Sequence, residues 1–289
     1  MELIVSHDAG GAELISCWIK YNKKKNFLFC LDGPAKKIFK KNIGYYKNIL
    51  FKNIKNYKFE KIITGTSWDS DIEKKAIIFG KNKKIYTVSY LDNWNNYLER
   101  FTFKKKLIPP NEINVVDKYA YNLAKKKFKN IKIKKKINFY LKNLLNKFKF
   151  KKAKNNSKIK ILYLSEPIFD HGKKQYGNGM YWGYDEFILL EKFFNNVHKL
   201  TKKKFVILFR HHPSEKKEKY ANLLKKYSKI FDLQISKKVN LLDDINRSDI
   251  VVGNQSMAMA MAVAVNKMTF SILPNLKHKI LPHKKIKYI

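Results

Sequence analysis

The sequence predicts an α/β protein of two domains, each built on a parallel sheet, with the strand ends of both turned towards a cleft. Three observations predict this. Short apolar runs alternate with longer amphipathic stretches along the chain, the pattern of strand–helix–strand units rather than of hairpins. Polar, glycine-bearing loops follow several of the apolar runs, where a parallel sheet presents its carboxyl ends to a ligand. A basic stretch at 147–158 (KFKFKKAKNNSK) breaks the periodicity and reads as a linker, so the domains are expected at 1–150 and 158–289.

In the first half, ELIVS (2–6) is a strand, followed by the loop HDAGG (7–11) and a helix at 12–22 with Leu14, Ile15, Trp18 and Ile19 on one face. NFLFCL (26–31) is the second strand, closed by the turn Asp32-Gly33-Pro34 and a short helix at 34–41. KIITGTS (61–67) is a strand, and Ser67 or Asp69 is placed to cap a helix at 71–79. Strands KIYTVSYLD (84–92) and INVVD (113–117), a helix at 118–127, a strand at 131–137 and a helix at 139–148 complete this half.

The second half opens with KIKILYLSEP (158–167), and a glycine- and aromatic-rich run at 176–184 is read as a flexible loop able to close over a ligand. A helix at 185–200, strand FVILF (205–209), helix at 215–230 and strand DLQIS (232–236) follow. A helix at 241–246, strand IVVG (250–253), a Met/Ala/Val helix at 257–265 and strand TFSIL (269–273) end the pattern.

Composition bounds the function. A chain of 289 residues with 45% hydrophobic and 14% aromatic content supports a substantial core. Its 62 basic residues against 23 acidic give a net charge of +39. The lysines are spread along most of the chain together with Asn, Ile, Phe and Tyr, the residues that AT-rich coding favours, so a nucleic-acid role is not the expectation. The deficit of acids still points to an anionic partner, an anionic membrane surface included. A helix with Ile137, Tyr140, Leu141, Leu144, Leu145 and Phe148 at helical spacing among lysines suits such a surface or an ordinary core contact. Cys17 and Cys30 sit in apolar segments and read as buried thiols, with no metal spacing. With no basic-then-apolar leader at its start, the chain is expected in the cytoplasm, with peripheral contact to the inner membrane face as an extension.

Chemistry is expected in the loops. His7 and Asp8, at the end of the first strand, are candidate general bases, and Gly10 and Gly11 behind them let backbone approach a sugar or anion. The loop is not a GxGxxG element, which disfavours a dinucleotide cofactor. Trp68 offers a stacking face for a sugar, and Asp92 is the strongest acid of the loop at 91–101. Arg210-His211-His212-Pro213 follows FVILF. Arg210 supplies a forked donor for phosphate, His212 a further donor, and Pro213 is placed to start a helix. The adjacent histidines lack a third ligand, so no metal is expected. Gly253-Asn254-Gln255-Ser256 opens the Met/Ala helix, and its amides, with Asn254 and Ser256, form an anion nest.

At these residues the chain resembles the GT-B glycosyltransferases, in particular bacterial sialyltransferase-like and capsule-polymer transferases. The specific part is the His-Pro element at 212–213 and the run DIVVGNQS (249–256) before a small-residue helix. The resemblance implies two Rossmann-like domains and nucleotide-phosphate contacts from His212, Pro213 and Ser256, with Asp8 or His7 as the base. It departs from the family where a double serine is expected and Gln255-Ser256 stands. The function so implied is metal-independent transfer of a sugar from a nucleotide sugar, bound as substrate rather than cofactor, to a surface-polysaccharide or lipid-linked acceptor. Two alternatives share the pattern less fully. One is a nucleotide-sugar epimerase, hydrolase or polyol-phosphate transferase of the same fold, and the other a basic nucleic-acid binder.

Overall fold

The computed structural model describes residues 1–22, 26–67, 70–148, 158–238 and 240–289. The chain forms two compact units, Met1–Asn143 and Leu144–Ile289. Each is organised on one six-stranded sheet in which every pairing is parallel.

The N-terminal unit runs β1 (Glu2–Ser6), α1 (Ala9–Tyr21), β2 (Phe27–Leu31), α2 (Gly33–Ile43), β3 (Lys61–Thr64), α3 (Ile72–Asn82) and β4 (Tyr86–Tyr90). A small antiparallel ribbon, β5 (Thr102–Phe103) and β6 (Lys106–Leu107), precedes β7 (Glu112–Val115), α4 (Lys118–Lys127), β8 (Lys132–Lys135) and α5 (Phe139–Lys147). The strand order is β2-β1-β3-β4-β7-β8. All of β1 is buried, which explains its unbroken apolar sequence: a strand covered on both faces needs no polar alternation. Ile4 enters the cluster with Ile15, Phe29 and Phe39, whereas Leu3 and Val5 enter that with Ile62 and Ala76, because successive side chains take opposite faces.

Helix α1 starts at Ala9, earlier than periodicity predicts, because Gly10 and Gly11 form its first turn instead of a loop. Both glycines are required by close packing. A Cβ on Gly11 would lie 2.9 Å from the Gly65 Cα, and one on Gly10 would lie 1.7 Å from Asp92 Oδ2.

The C-terminal unit runs β9 (Ile159–Leu164), α6 (Ile168–Tyr176), α7 (Glu186–Asn196), β10 (Phe205–Arg210), α8 (Ala221–Ser228), β11 (Leu233–Ile235), α9 (Leu241–Arg247), β12 (Ile250–Gly253), α10 (Met257–Ala264), β13 (Met268–Ser271) and β14 (Ile286–Tyr288). Its order is β11-β10-β9-β12-β13-β14. An aromatic core of Tyr163, Phe193, Phe194, Phe209 and Tyr220 fills one face.

Four expectations change here. Residues between β9 and the glycine- and aromatic-rich run, not expected to be helical, form α6; Gly177 ends that helix at φ +72°, and the run itself is a turn-rich loop in which Tyr181 stacks on Tyr176 with ring centres 3.6 Å apart. The helix expected from 215 starts later, with a 3-10 turn at Lys217–Tyr220 before α8. The sheet gains β14, whose three residues were too few to read as a strand. The units also divide inside α5 instead of at 150. Tyr140 packs on the N-terminal core, and Asn143 bonds Tyr21 and Cys17. Phe148, buried just beyond α5, lies under the Lys267 ammonium of the C-terminal unit. The expected linker at 149–157 lies outside the described residues. Among the described residues no helix is long and apolar enough to cross a membrane. Cys17 and Cys30 are buried and not joined in a disulfide, and burial, with Asp32 and Glu73 nearby, pushes the Cys30 thiol up to about 11.

Candidate functional site

In the N-terminal unit the residues after β1, β3 and β4 meet at the carboxyl edge of the sheet. Adjacent parallel strands end side by side, so loops distant in sequence converge. His7 and Asp8 follow β1, and His7 Nδ1–H donates to Asp8 Oδ1 (2.7 Å). Asp8 occupies the N-cap position of α1, yet its side chain makes no cap bond. Both side chains keep partial exposure, 18% and 25%, so the pair is reachable.

The backbone beneath the pair is pinned by a buried acid. Glu73 of α3, 2% exposed, accepts the His7 N–H (2.8 Å) and the Ser67 hydroxyl (2.5 Å), and Ser67 Oγ accepts the Asp8 N–H (3.3 Å). Burial pushes the Glu73 carboxyl up to about 7, against the pull of these bonds. Ser67 therefore acts as a tether, not as the helix cap expected; Asp71 holds the N-cap of α3.

Asp92, after β4, pairs with the buried Arg100 (2.8 Å), which also donates to Thr66 Oγ1 (2.9 Å). Its other oxygen lies against Gly10. The structure thus brings His7, Asp8, Gly10, Gly11 and Asp92 together at one sheet edge, and adds Glu73 and Arg100. Trp68 lies outside the described residues.

In the C-terminal unit, β9 lies between β10 and β12, and its last residues organise both neighbouring loops. Ser165 Oγ accepts the His212 N–H (2.8 Å) and donates to Glu215 Oε2 (2.5 Å). Glu215 N–H donates to His212 O (3.0 Å), so residues 212–215 form a β-turn with Pro213 second. Pro213 therefore sets a turn and does not start a helix. Burial favours a neutral Glu215, but bonds from Ser165, Tyr220, the His212 amide and Lys219 outweigh it and hold the carboxyl below its ordinary value.

His212 Nδ1 bonds Ser214 Oγ (2.7 Å) and accepts the Ser214 N–H (3.3 Å). Burial lowers the ring's proton affinity, with His171 and Lys219 adding to the effect and Glu215 opposing it. The neutral ring then carries its proton on Nε2, where it is a hydrogen-bond donor.

Glu166, the next residue, does the same for β12. Its Oε1 accepts the N–H groups of Asn254 (3.1 Å), Gln255 (2.9 Å) and Ser256 (3.0 Å). The amides expected to hold an anion thus hold a carboxylate of the chain itself. Burial nevertheless pushes Glu166 up to about 7. Gln255 secures the segment after β13: its Nε2–H donates to His278 O (2.6 Å) and its Oε1 accepts the Ile280 N–H. Gly253 packs close, since a Cβ there would lie 2.8 Å from Met259 Sδ.

Arg210 has another employment. It donates to Asp244 Oδ2 (2.6 Å) and Lys238 O (2.8 Å), and Asp244 is fully buried and shared with Arg247. The guanidinium read from sequence as a phosphate donor closes an ion pair between β10 and α9. The remaining residues, His212, Pro213, Gly253, Asn254 and Ser256, gather around Ser165 and Glu166 at one edge. Sequence alone does not single out Glu73 or Glu215, and it offers Ser165, Glu166 and Arg100 only as members of strand-end loops. Glu73 and Glu215 carried one available signal, each being an acid near the start of a helix.

Two Rossmann-like α/β domains, each on a six-stranded parallel sheet, make this a protein of the GT-B fold. Solved structures match over nearly the full length. UDP-GlcNAc 2-epimerase from Methanocaldococcus jannaschii superposes with a TM-score of 0.65 at 13% identity, over 100% of this chain and 89% of that one. UDP-GlcNAc 2-epimerase from Neisseria meningitidis, solved bound to UDP-GlcNAc, gives 0.64 at 10% identity over 99% and 87%. MurG from Acinetobacter baumannii gives 0.54 at 7% identity over 94% and 78%. No protein-family model and no curated protein matches the chain. At such identities the likeness is one of fold.

Proposed function

We propose that the protein is an enzyme acting on a nucleotide sugar, and that epimerisation of the sugar is its reaction. The observation that carries this reading is the Ser165-Glu166 pair, which draws the His212 turn and the 254–256 amides to one sheet edge. His212 Nε2–H is a neutral donor suited to a phosphate oxygen, and the helix opening beside it, held by Glu166 in this structure, carries amides of the same kind. Metal is not required by that arrangement of donors. The prevalence of UDP-GlcNAc 2-epimerases among the solved neighbours supports the proposal of a UDP-linked sugar and of epimerisation over transfer.

Inverting a carbon of the sugar requires a proton to leave and return. Asp8, with His7 beside it, is the group proposed to move that proton. Asp92 and the Gly10–Gly11 turn are proposed to line the sugar's surroundings. Transfer to a glycan or lipid-linked acceptor is the second reading, supported by the likeness to MurG and by a net charge of +39, which suits an anionic acceptor or membrane face.

Incubation with UDP-GlcNAc alone, followed by separation of products, tests the two together. A C-2 epimer formed without acceptor supports the first reading. Unchanged donor that is consumed only when an acceptor is added would replace it with the second.

A further inference from the structure

The three amides at 254–256 cannot serve a phosphate oxygen while they serve Glu166. Each N–H points to Oε1 at 2.9–3.1 Å, and two anions on one set of donors repel each other. We propose that Glu166 is an internal competitor for nucleotide phosphate: its carboxylate occupies the amides that open α10, and a phosphate oxygen reaches them only as that carboxylate turns away. This rests on the nucleotide-sugar reading above and adds to it the residue that sets phosphate affinity.

Two further observations point the same way. Asn254, 7% exposed, leaves its side-chain Oδ1 without a hydrogen-bond partner in this loop, although its Oδ1 is buried. A buried acceptor left unpaired is costly, and a ligand hydroxyl or a protonated group would satisfy it. The loop also stands without Glu166: Ser271 Oγ–H donates to Asn254 O (2.6 Å), and Gln255 is fixed to 278–280 by its own side chain. Removing the carboxylate therefore leaves the cradle its other supports. The carboxyl itself is poised to give way, since burial already favours its neutral form at about neutral pH.

The test is calorimetric titration of UDP into the full chain and into the Glu166→Gln and Glu166→Ala variants, with melting temperature recorded for each. Uridine is the control, because it carries no phosphate. Gln keeps an acceptor oxygen for the amides but removes the charge, so it holds the fold while weakening the competition. The expected result is UDP bound about tenfold tighter by Glu166→Gln than by the wild type, with uridine affinity unchanged, the difference made by one charge-assisted bond. Unchanged or weaker UDP binding in a folded variant would overturn the proposal, as would equal tightening for uridine, and both leave the nucleotide reading intact. UDP that binds neither wild type nor variants would remove the nucleotide reading and this inference with it.

Discussion

At the scale of single residues, the acids and bases divide by what holds them. The chain has three arginines among its 62 basic residues, and each pairs with a buried or half-buried acid: Arg100 with Asp92, Arg210 and Arg247 with Asp244. The guanidinium is always charged and presents several donors, which suits it to a buried carboxylate. Arg210→Ala leaves the fully buried Asp244 short of a partner, and should cost about 3–5 kcal/mol in chemical denaturation while shifting UDP affinity less than twofold. His212→Ala should do the reverse, weakening UDP about tenfold by titration with little change in melting temperature, because the ring's main bond is to Ser214 on the surface. Asp8→Asn keeps an acceptor for His7 Nδ1 and should preserve nucleotide binding, yet lower turnover about a hundredfold or more in a steady-state assay.

At the scale of elements, two buried carboxyls fix the loops that carry the chemistry. Glu73 lies on α3 and ties the β1 loop; Glu166 follows β9 and ties the start of α10. Both are raised from 4.5 to about 7 by burial, so the folded chain binds protons that the unfolded chain releases between those values. Their stabilising contribution is complete below about 4.5 and is lost as pH rises through about 7. Denaturation followed from pH 5 to 8 should show this decline, and Glu73→Gln should flatten its own share of it. Most strands and helices were legible in sequence, because ELIVS, FVILF and IVVG are buried runs between amphipathic stretches. Helix α6 was not, since Gly172 and the following Gly177 and Gly179 read as loop. In the structure, Gly172 packs against the 178–179 carbonyls. The candidate loops were legible as polar strand ends. Their tethers were not, because the partners of Glu73 and Glu166 lie as many as 66 and 90 positions away, and a single sequence does not show who meets whom.

At the scale of the whole molecule, the chain carries a net charge of +39. Such a field speeds the arrival of anionic ligands and fades with added salt. The association rate of UDP measured by stopped flow should therefore fall several-fold between low and physiological ionic strength, with dissociation little changed. Lysines occur along the sequence of both units, which fits general steering better than a single nucleic-acid segment.

Every ladder in the two large sheets is parallel, and β1 and β9 each come first in their unit yet sit inside the sheet. No pair of these strands can zip through a tight turn, so each must wait for a helix-length crossover before its partner arrives. Refolding should consequently be slow, with exposed strand edges waiting in solution. The same lysines keep those half-made chains apart by mutual repulsion, so the charge serves the chain before it has folded as well as after.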